Sequence, residues 1–147
     1  MSLDNLVGKT LEKIAPDQTN IKRLLSAAKR NIDDAKVKQI SAETRFDAAY
    51  KAIMQLANAA LHASGYRTLT SVPGHHQTMI QSLAKTMNIE RDKLVVLDTM
   101  RKQRNVADYS GDVIPESTAR ECIEQAESLM RMLNAWITEN HPELIDK

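Results

Sequence analysis

Apolar residues recur every three or four positions along most of this chain, and the stretches that carry them are separated by short segments marked with Ser, Gly or Pro. That is the period of a helix packed on one side, not the alternation of a half-buried strand. Ser2 is placed to cap a short first helix with Leu3, Val7, Leu11 and Ile14 on one face, ended by Pro16. A second helix is predicted from about Thr19 to Lys38, with Ile21, Leu24, Leu25, Ala28, Ile32 and Ala35 inward. Ser41 then caps a longer helix whose stripe of Phe46, Ala49, Ile53, Ala57, Ala60 and Leu61 is narrow and alanine-rich, closed by Gly65. Residues 66–74 read as a loop ending in Val72-Pro73-Gly74.

Beyond that turn, Met79, Ile80, Leu83, Ala84 and Met87 define a fourth helix that stops near Asn88. A fifth is predicted from about Glu90 to Tyr109. The loop 110–114 leads to Pro115, which suits the first turn of a last helix. Its wide apolar face holds Ala119, Cys122, Ile123, Ala126, Leu129, Met130, Leu133, Trp136 and Ile137, and His141-Pro142 ends it. The expected fold class is therefore all-α, an up-and-down antiparallel bundle of about five to six helices. Residues 1–147 are expected to form a single domain, with 1–16 as an extra N-terminal helix and 19–140 as the bundle core.

Composition narrows the core chemistry. The 147 residues are 42% hydrophobic but only 3% aromatic, so the interior must be built from Leu, Ile, Ala and Met. With one Trp and one Phe there is no stacking platform for single-stranded bases. No apolar run approaches the roughly 20 residues needed to span a bilayer, and the start lacks the pattern of a secretory signal. The single cysteine, Cys122, sits in the apolar row of the last helix and reads as core filler. It cannot form an intramolecular disulfide, which fits a reducing compartment and a cytoplasmic location.

A net charge of +1 conceals a partition. Residues 1–110 carry 17 Lys and Arg against 11 Asp and Glu, while residues 111–147 carry 3 against 8. Such halves can simply pair with each other in an antiparallel bundle. They can also leave a basic surface for phosphates, to which Lys22, Arg23, Lys29, Arg30, Lys36 and Lys38 would contribute.

The segment 94–111 carries the strongest chemical signal. At helical spacing Leu94, Leu97, Arg101, Arg104 and Asp108 fall on one stripe, which begins apolar and turns charged just before Gly111. Arginine on an inward stripe is costly unless it is paired or holds a ligand. Two readings stand side by side: an ion-pair cluster, with Arg104 and Asp108 at i, i+4, or a phosphate or nucleotide site. Asp47 and Tyr50, near the apolar stripe of the long helix, are expected to pair with Arg101 or Arg104. His75 and His76 open the fourth helix. Adjacent helical residues point about 100° apart, so they do not readily share one metal. No P-loop, dinucleotide turn or serine-hydrolase elbow is present in the sequence, and neither a cofactor nor a metal is expected.

The order of several short motifs resembles the HEPN superfamily of helical bundles. Arg45-Phe46-Asp47-Ala48-Ala49-Tyr50 opens the long helix, Gly65-Tyr66 closes it, and Gly74-His75 starts the next. Arg104-Asn105, followed by Ala107-Asp108-Tyr109, completes the set. The resemblance runs from Ile21 to about Asn140. It implies a homodimer with two facing sites, and in ribonuclease members an arginine followed four to six residues later by a histidine. There, arginine holds the phosphate and histidine moves protons. Arg104 and Asn105 match the first half of that motif, but the histidine position is Tyr109, flanked by Asp108 and Ser110. Tyrosine, with a pKa of about 10, is a poor general base at neutral pH.

The resemblance also implies a partner, because many such proteins pair with a minimal nucleotidyltransferase in toxin–antitoxin fashion. In some pairs the transferase modifies a tyrosine near the motif, which makes Tyr109 a candidate. The expected function is a binding or regulatory module for RNA or nucleotide phosphates, with Arg101, Arg104, Asp108 and Tyr109 at the ligand. The enzyme alternative is a metal-independent endoribonuclease using Arg104 and Asn105, with His75 or His76 replacing the missing histidine. A scaffold without ligand is the third possibility. The wide apolar face of 119–137, together with the extra helix at 3–14, predicts a symmetric homodimer.

Overall fold

In the computed structural model, which describes residues 3–111 and 113–145, five α-helices form a bundle. They are α1 (Gln18–Ala35), α2 (Ala42–Ala63), α3 (His75–Thr86), α4 (Arg91–Ser110) and α5 (Glu116–Asn140). A two-stranded sheet and two 3-10 turns complete the elements. The all-α class and the helix boundaries expected between residues 19 and 140 hold to within a few positions.

The caps explain those boundaries. Asp17 accepts a hydrogen bond from the Thr19 amide at 3.0 Å and starts α1. Ser41 accepts one from the Thr44 amide at 3.2 Å and starts α2. Asn88 adopts φ +55° just past α3, a left-handed position that asparagine tolerates better than most residues. Gly111, at φ +73°, ends α4 with its amide bonded to the Ala107 carbonyl at 3.0 Å.

Helix α2 is the axis of the molecule. It packs against α1 and α5 most extensively, then against α3, and only lightly against α4. The sequence pattern suggested one narrow stripe, but Ala52, Met54, Leu56, Ala59 and Ala63 are buried as well, so α2 is covered on nearly every side. Its alanines make this possible, since small side chains let helix backbones approach closely from several directions. Helix α5 lays down the apolar face expected of it, with Ala119, Cys122, Ala126, Leu129, Leu133 and Ile137 fully buried. Cys122 donates to the Phe46 carbonyl across 3.9 Å, and burial pushes its thiol up to about 12, so it is core and not a nucleophile.

Two expectations fail at the N-terminal end. The helix predicted for 3–14 is instead a 3-10 turn (Leu3–Leu6) followed by strand β1 (Leu11–Lys13), and its proposed cap, Ser2, lies outside the described residues. Gly8 breaks the helix with φ +86°, and its amide bonds forward to the Leu11 carbonyl at 2.8 Å. The loop predicted for 66–74 begins with a strand, β2 (Tyr66–Thr68), antiparallel to β1 in the register Leu11–Thr68, Glu12–Arg67, Lys13–Tyr66. An Arg67–Glu12 ion pair at 2.9 Å bridges the strands. This small sheet closes the far end of α2, away from the charged stripe of α4.

The buried position of Arg45 has a clear cause. Its Nε donates to the Ala35 carbonyl at 2.8 Å, satisfying the end of α1, while its other arm pairs with Glu116 at the start of α5. One side chain thus ties three helices together.

Candidate functional site

Along α2, Asp47, Tyr50, Lys51 and Met54 recur at i, i+3, i+4 and i+7 and form one wall of a cavity of about 430 Å³. His76 from the first turn of α3 and Arg104 and Asp108 from the last turns of α4 supply the other walls. The arginine stripe of α4 turns inward here. Leu97 and Met100 are buried in the bundle, and the stripe reaches the cavity one to two turns later.

The polar groups of the cavity are interlocked. Tyr50 Oη and His76 Nδ1 share a hydrogen bond of 3.0 Å. The Arg104 guanidinium lies over the Tyr50 ring, 5.3 Å from its centroid, within reach of a cation–π attraction. Arg104 also faces Asp108 at 3.6 Å, one helical turn on. His75 stacks edge-on against His76 with centroids 4.8 Å apart, outside the cavity lining.

Electrostatics follow from this packing. Burial lowers the pKa of His76, and the neighbouring His75, Arg104 and Arg101 lower it further, so its ring is held unprotonated. Burial pushes the Tyr50 phenol up to about 12, only partly offset by Arg104 and Arg101. Asp47 is raised, first by burial and then by the Asp108 carboxylate, with Arg104 and Lys51 pulling the other way. The cavity therefore offers two cations, a neutral imidazole, a phenol and two carboxylates.

The residues singled out from sequence divide cleanly. Arg104, Asp108 and His76 come together. Arg101 does not line the cavity: its Nε is bound to Asp98 at 2.8 Å, one turn back on the same helix. Its positive charge still reaches Tyr50 and His76. Asn105 is half-buried and outside the lining, and Tyr109 points to solvent with 90% of its surface exposed. The pairing expected between Tyr50 and an arginine is a ring-face contact, and the hydrogen bond goes to His76 instead. Lys51 and Met54 were missed in the sequence. The i, i+3, i+4, i+7 row from Asp47 was the signal that could have found them. Among the described residues, no three His, Cys, Asp or Glu side chains gather where they could hold a metal ion.

A family model described as HEPN domain matches residues 21–136, and the chain belongs to that family. No curated protein matches the sequence. The matched span covers most of α1, all of α2 to α4 and most of α5, and so includes every residue of the cavity. No helix is long and apolar enough to cross a membrane among the described residues.

Proposed function

We propose that this HEPN domain binds a nucleotide or the phosphate of an RNA end in the cleft between α2, α3 and α4, as a binding or regulatory module. The observation that carries the reading is the convergence of Arg104, Lys51 and His76, from three helices, on one cavity. Arginine and lysine supply charge-assisted donors for phosphate oxygens. Asp47 and Asp108 would repel a bare phosphate, but they can accept hydrogen bonds from base amino groups or ribose hydroxyls. A nucleoside phosphate uses both sets of groups.

Cleavage is the weaker reading because Tyr109 stands where the family's nucleases carry histidine, and it projects away from the cavity. One observation favours it: His76 enters the same cavity as Arg104 and is kept unprotonated, as a general base must be. RNA cleavage by the wild type, lost in His76→Ala, would put this reading in place of the first.

Assembly belongs to the same proposal. The faces first assigned to a dimer, on α5 and near the N-terminus, are largely buried in the monomer core, with Val7 left 37% exposed. Of the large apolar side chains left exposed among the described residues, Tyr109 (90%) and Val113 (74%) are the most open, and with Val106 (49%) they gather at the end of α4 and just past it. We place the homodimer contact there, beside the cleft. The Tyr109 hydroxyl is open to a partner nucleotidyltransferase in the free monomer.

The test is thermal. Adenosine monophosphate at a hundred times its Kd stabilises a single site by about 2.7 kcal/mol. The wild type should show that upward shift in Tm, inorganic phosphate a smaller one, and Arg104→Ala neither. Equal shifts in wild type and variant would place the nucleotide elsewhere and end the proposal.

A further inference from the structure

The basic residues of α1 and its C-cap separate into two groups. Lys36 pairs with Glu127 of α5, and Lys29 pairs with Asp33 at 3.5 Å on its own helix. Lys22, Arg23 and Arg30 take part in no ion pair among the described residues, and neither does Lys51 of α2. Pairing between the basic and acidic halves of the chain thus accounts for only part of the positive charge on α1.

The unpaired cations are aligned. A shallow groove of about 630 Å³ runs along α1 past Lys22, Arg23 and Arg30. A second, of about 420 Å³, shares Ala27 and Arg30 with it and ends at Lys51. Lys51 also lines the cleft that holds Arg104. Three depressions therefore join through shared walls into one path from the start of α1 to the end of α4. From Arg23 to Arg30 alone the path covers about 10 Å, at about 1.5 Å per helical residue.

We propose that this path is a track for single-stranded RNA, which leads the strand by its phosphates into the α2–α3–α4 cleft. The inference rests on the cleft reading above and extends it from a nucleotide to a polymer. No aromatic side chain lines the two outer grooves, so recognition there falls on the backbone phosphates and is indifferent to sequence. The outer face of α1 carries Thr19, Lys22, Arg23, Ser26 and Arg30 with no large apolar residue exposed among them, which suits a phosphate chain better than a lipid surface. Asp33 and Asp34 border the middle of the path, and Lys29 neutralises only Asp33. Contacts should accordingly concentrate at the two ends.

Fluorescence anisotropy with a labelled twelve-nucleotide RNA, about 12 phosphates, tests the track. The double variant Arg23→Gln/Arg30→Gln alters only exposed side chains of α1. It should bind this RNA about tenfold more weakly, with the slope of log K against log salt reduced by about 1.4 for two lost phosphate contacts. A trinucleotide and adenosine monophosphate, held in the cleft alone, should bind it as they bind the wild type. Lys9→Gln/Lys85→Gln, which removes the same charge elsewhere, should leave RNA binding intact. Equal loss in the two double variants, or no loss in the first, overturns the track. A track that fails while Arg104→Ala still loses the nucleotide shift leaves the cleft reading standing. Loss of RNA binding in Arg23→Gln/Arg30→Gln, with no nucleotide shift even in the wild type, supports the track and refutes the cleft.

Discussion

Tyr50 Oη and His76 Nδ1 lie 3.0 Å apart, and this hydrogen bond joins α2 to α3 beneath the Arg104 guanidinium. Both partners are held neutral by burial. The phenol is pushed up to about 12, and the imidazole is lowered and surrounded by His75, Arg104 and Arg101. A second proton on His76 would add a cation to an already positive corner.

Stability should therefore fall as pH falls below neutrality. The folded pKa of His76 lies below the ordinary 6.5, so the unfolded chain takes up the proton first. The stabilisation is fully present above 6.5 and is lost as pH drops through the lowered folded value. His62 shifts in the same direction, by burial and then Arg67, and shares the effect. Melting curves between pH 7.5 and 5 should show Tm declining, with a shallower decline in His76→Gln. An unchanged slope in that variant would mean that the histidine titrates normally.

Asp47→Asn should strengthen the binding of inorganic phosphate. The carboxylate is raised by burial and by Asp108, which marks a negative charge disfavoured where it stands. Its own linkage has the opposite sign to that of His76. Stability associated with Asp47 is present below about 3.8, its ordinary value, and is lost as pH rises through the raised folded value. At neutral pH the variant should melt slightly higher than the wild type. It should bind inorganic phosphate up to roughly 5-fold more tightly, the scale of about 1 kcal/mol for a solvent-screened charge pair. Titration calorimetry checks this, and weaker phosphate binding would contradict it.

Arg45→Ala should be the most destabilising single change near the cleft. It strips the Ala35 carbonyl of its donor and Glu116 of its partner, and it opens space among three helices. A cost of about 2–3 kcal/mol is expected, because the remaining buried acceptor has no water to replace the donor. Arg45→Lys should recover only part of the loss, since an ammonium cannot serve both directions at once. Chemical denaturation of the two variants provides the measurement.

Val106→Glu and Val113→Glu should each shift the protein toward monomer. These side chains flank Tyr109, Val106 on the exposed end of α4 and Val113 just past it, where a like charge from each protomer would meet its symmetry mate. Light scattering at tens of micromolar should give a dimer mass for the wild type. A monomeric wild type would remove the α4 interface.

No RNA cleavage above background is expected of the wild type. Loss of a positioned general base typically costs about 10²–10⁴-fold. Tyr109→His restores the family spacing from Arg104, yet position 109 faces solvent in the monomer. Activity in that variant should therefore require the dimer, and combining it with Val106→Glu should abolish it. Cleavage by the monomeric double variant would show that the partner protomer is not needed.

Much of this architecture was written in local patterns. The apolar rows of α1, α3 and α5 report directly which face each helix buries, because a helix repeats its surface every 3.6 residues. Ser41, Asn88 and Gly111 end or begin helices through interactions within a few residues of themselves. The inward turn of Arg104 followed from the phase of Leu97 on the same helix, and the resemblance carried by Arg45–Tyr50 and Arg104-Asn105 followed from their order. All of these depend on short separations along the chain. Tertiary structure decided the rest. Leu11 and Thr68 pair across 57 positions, and a three-residue strand has too little pattern to announce itself over a fortuitous helical spacing. Whether Arg101 or Arg104 entered the cavity depended on Asp98, which captures the first and leaves the second free to lie over Tyr50. His76, rather than His75, became the cavity histidine because α3 meets α2 at Tyr50, a choice made by packing between helices.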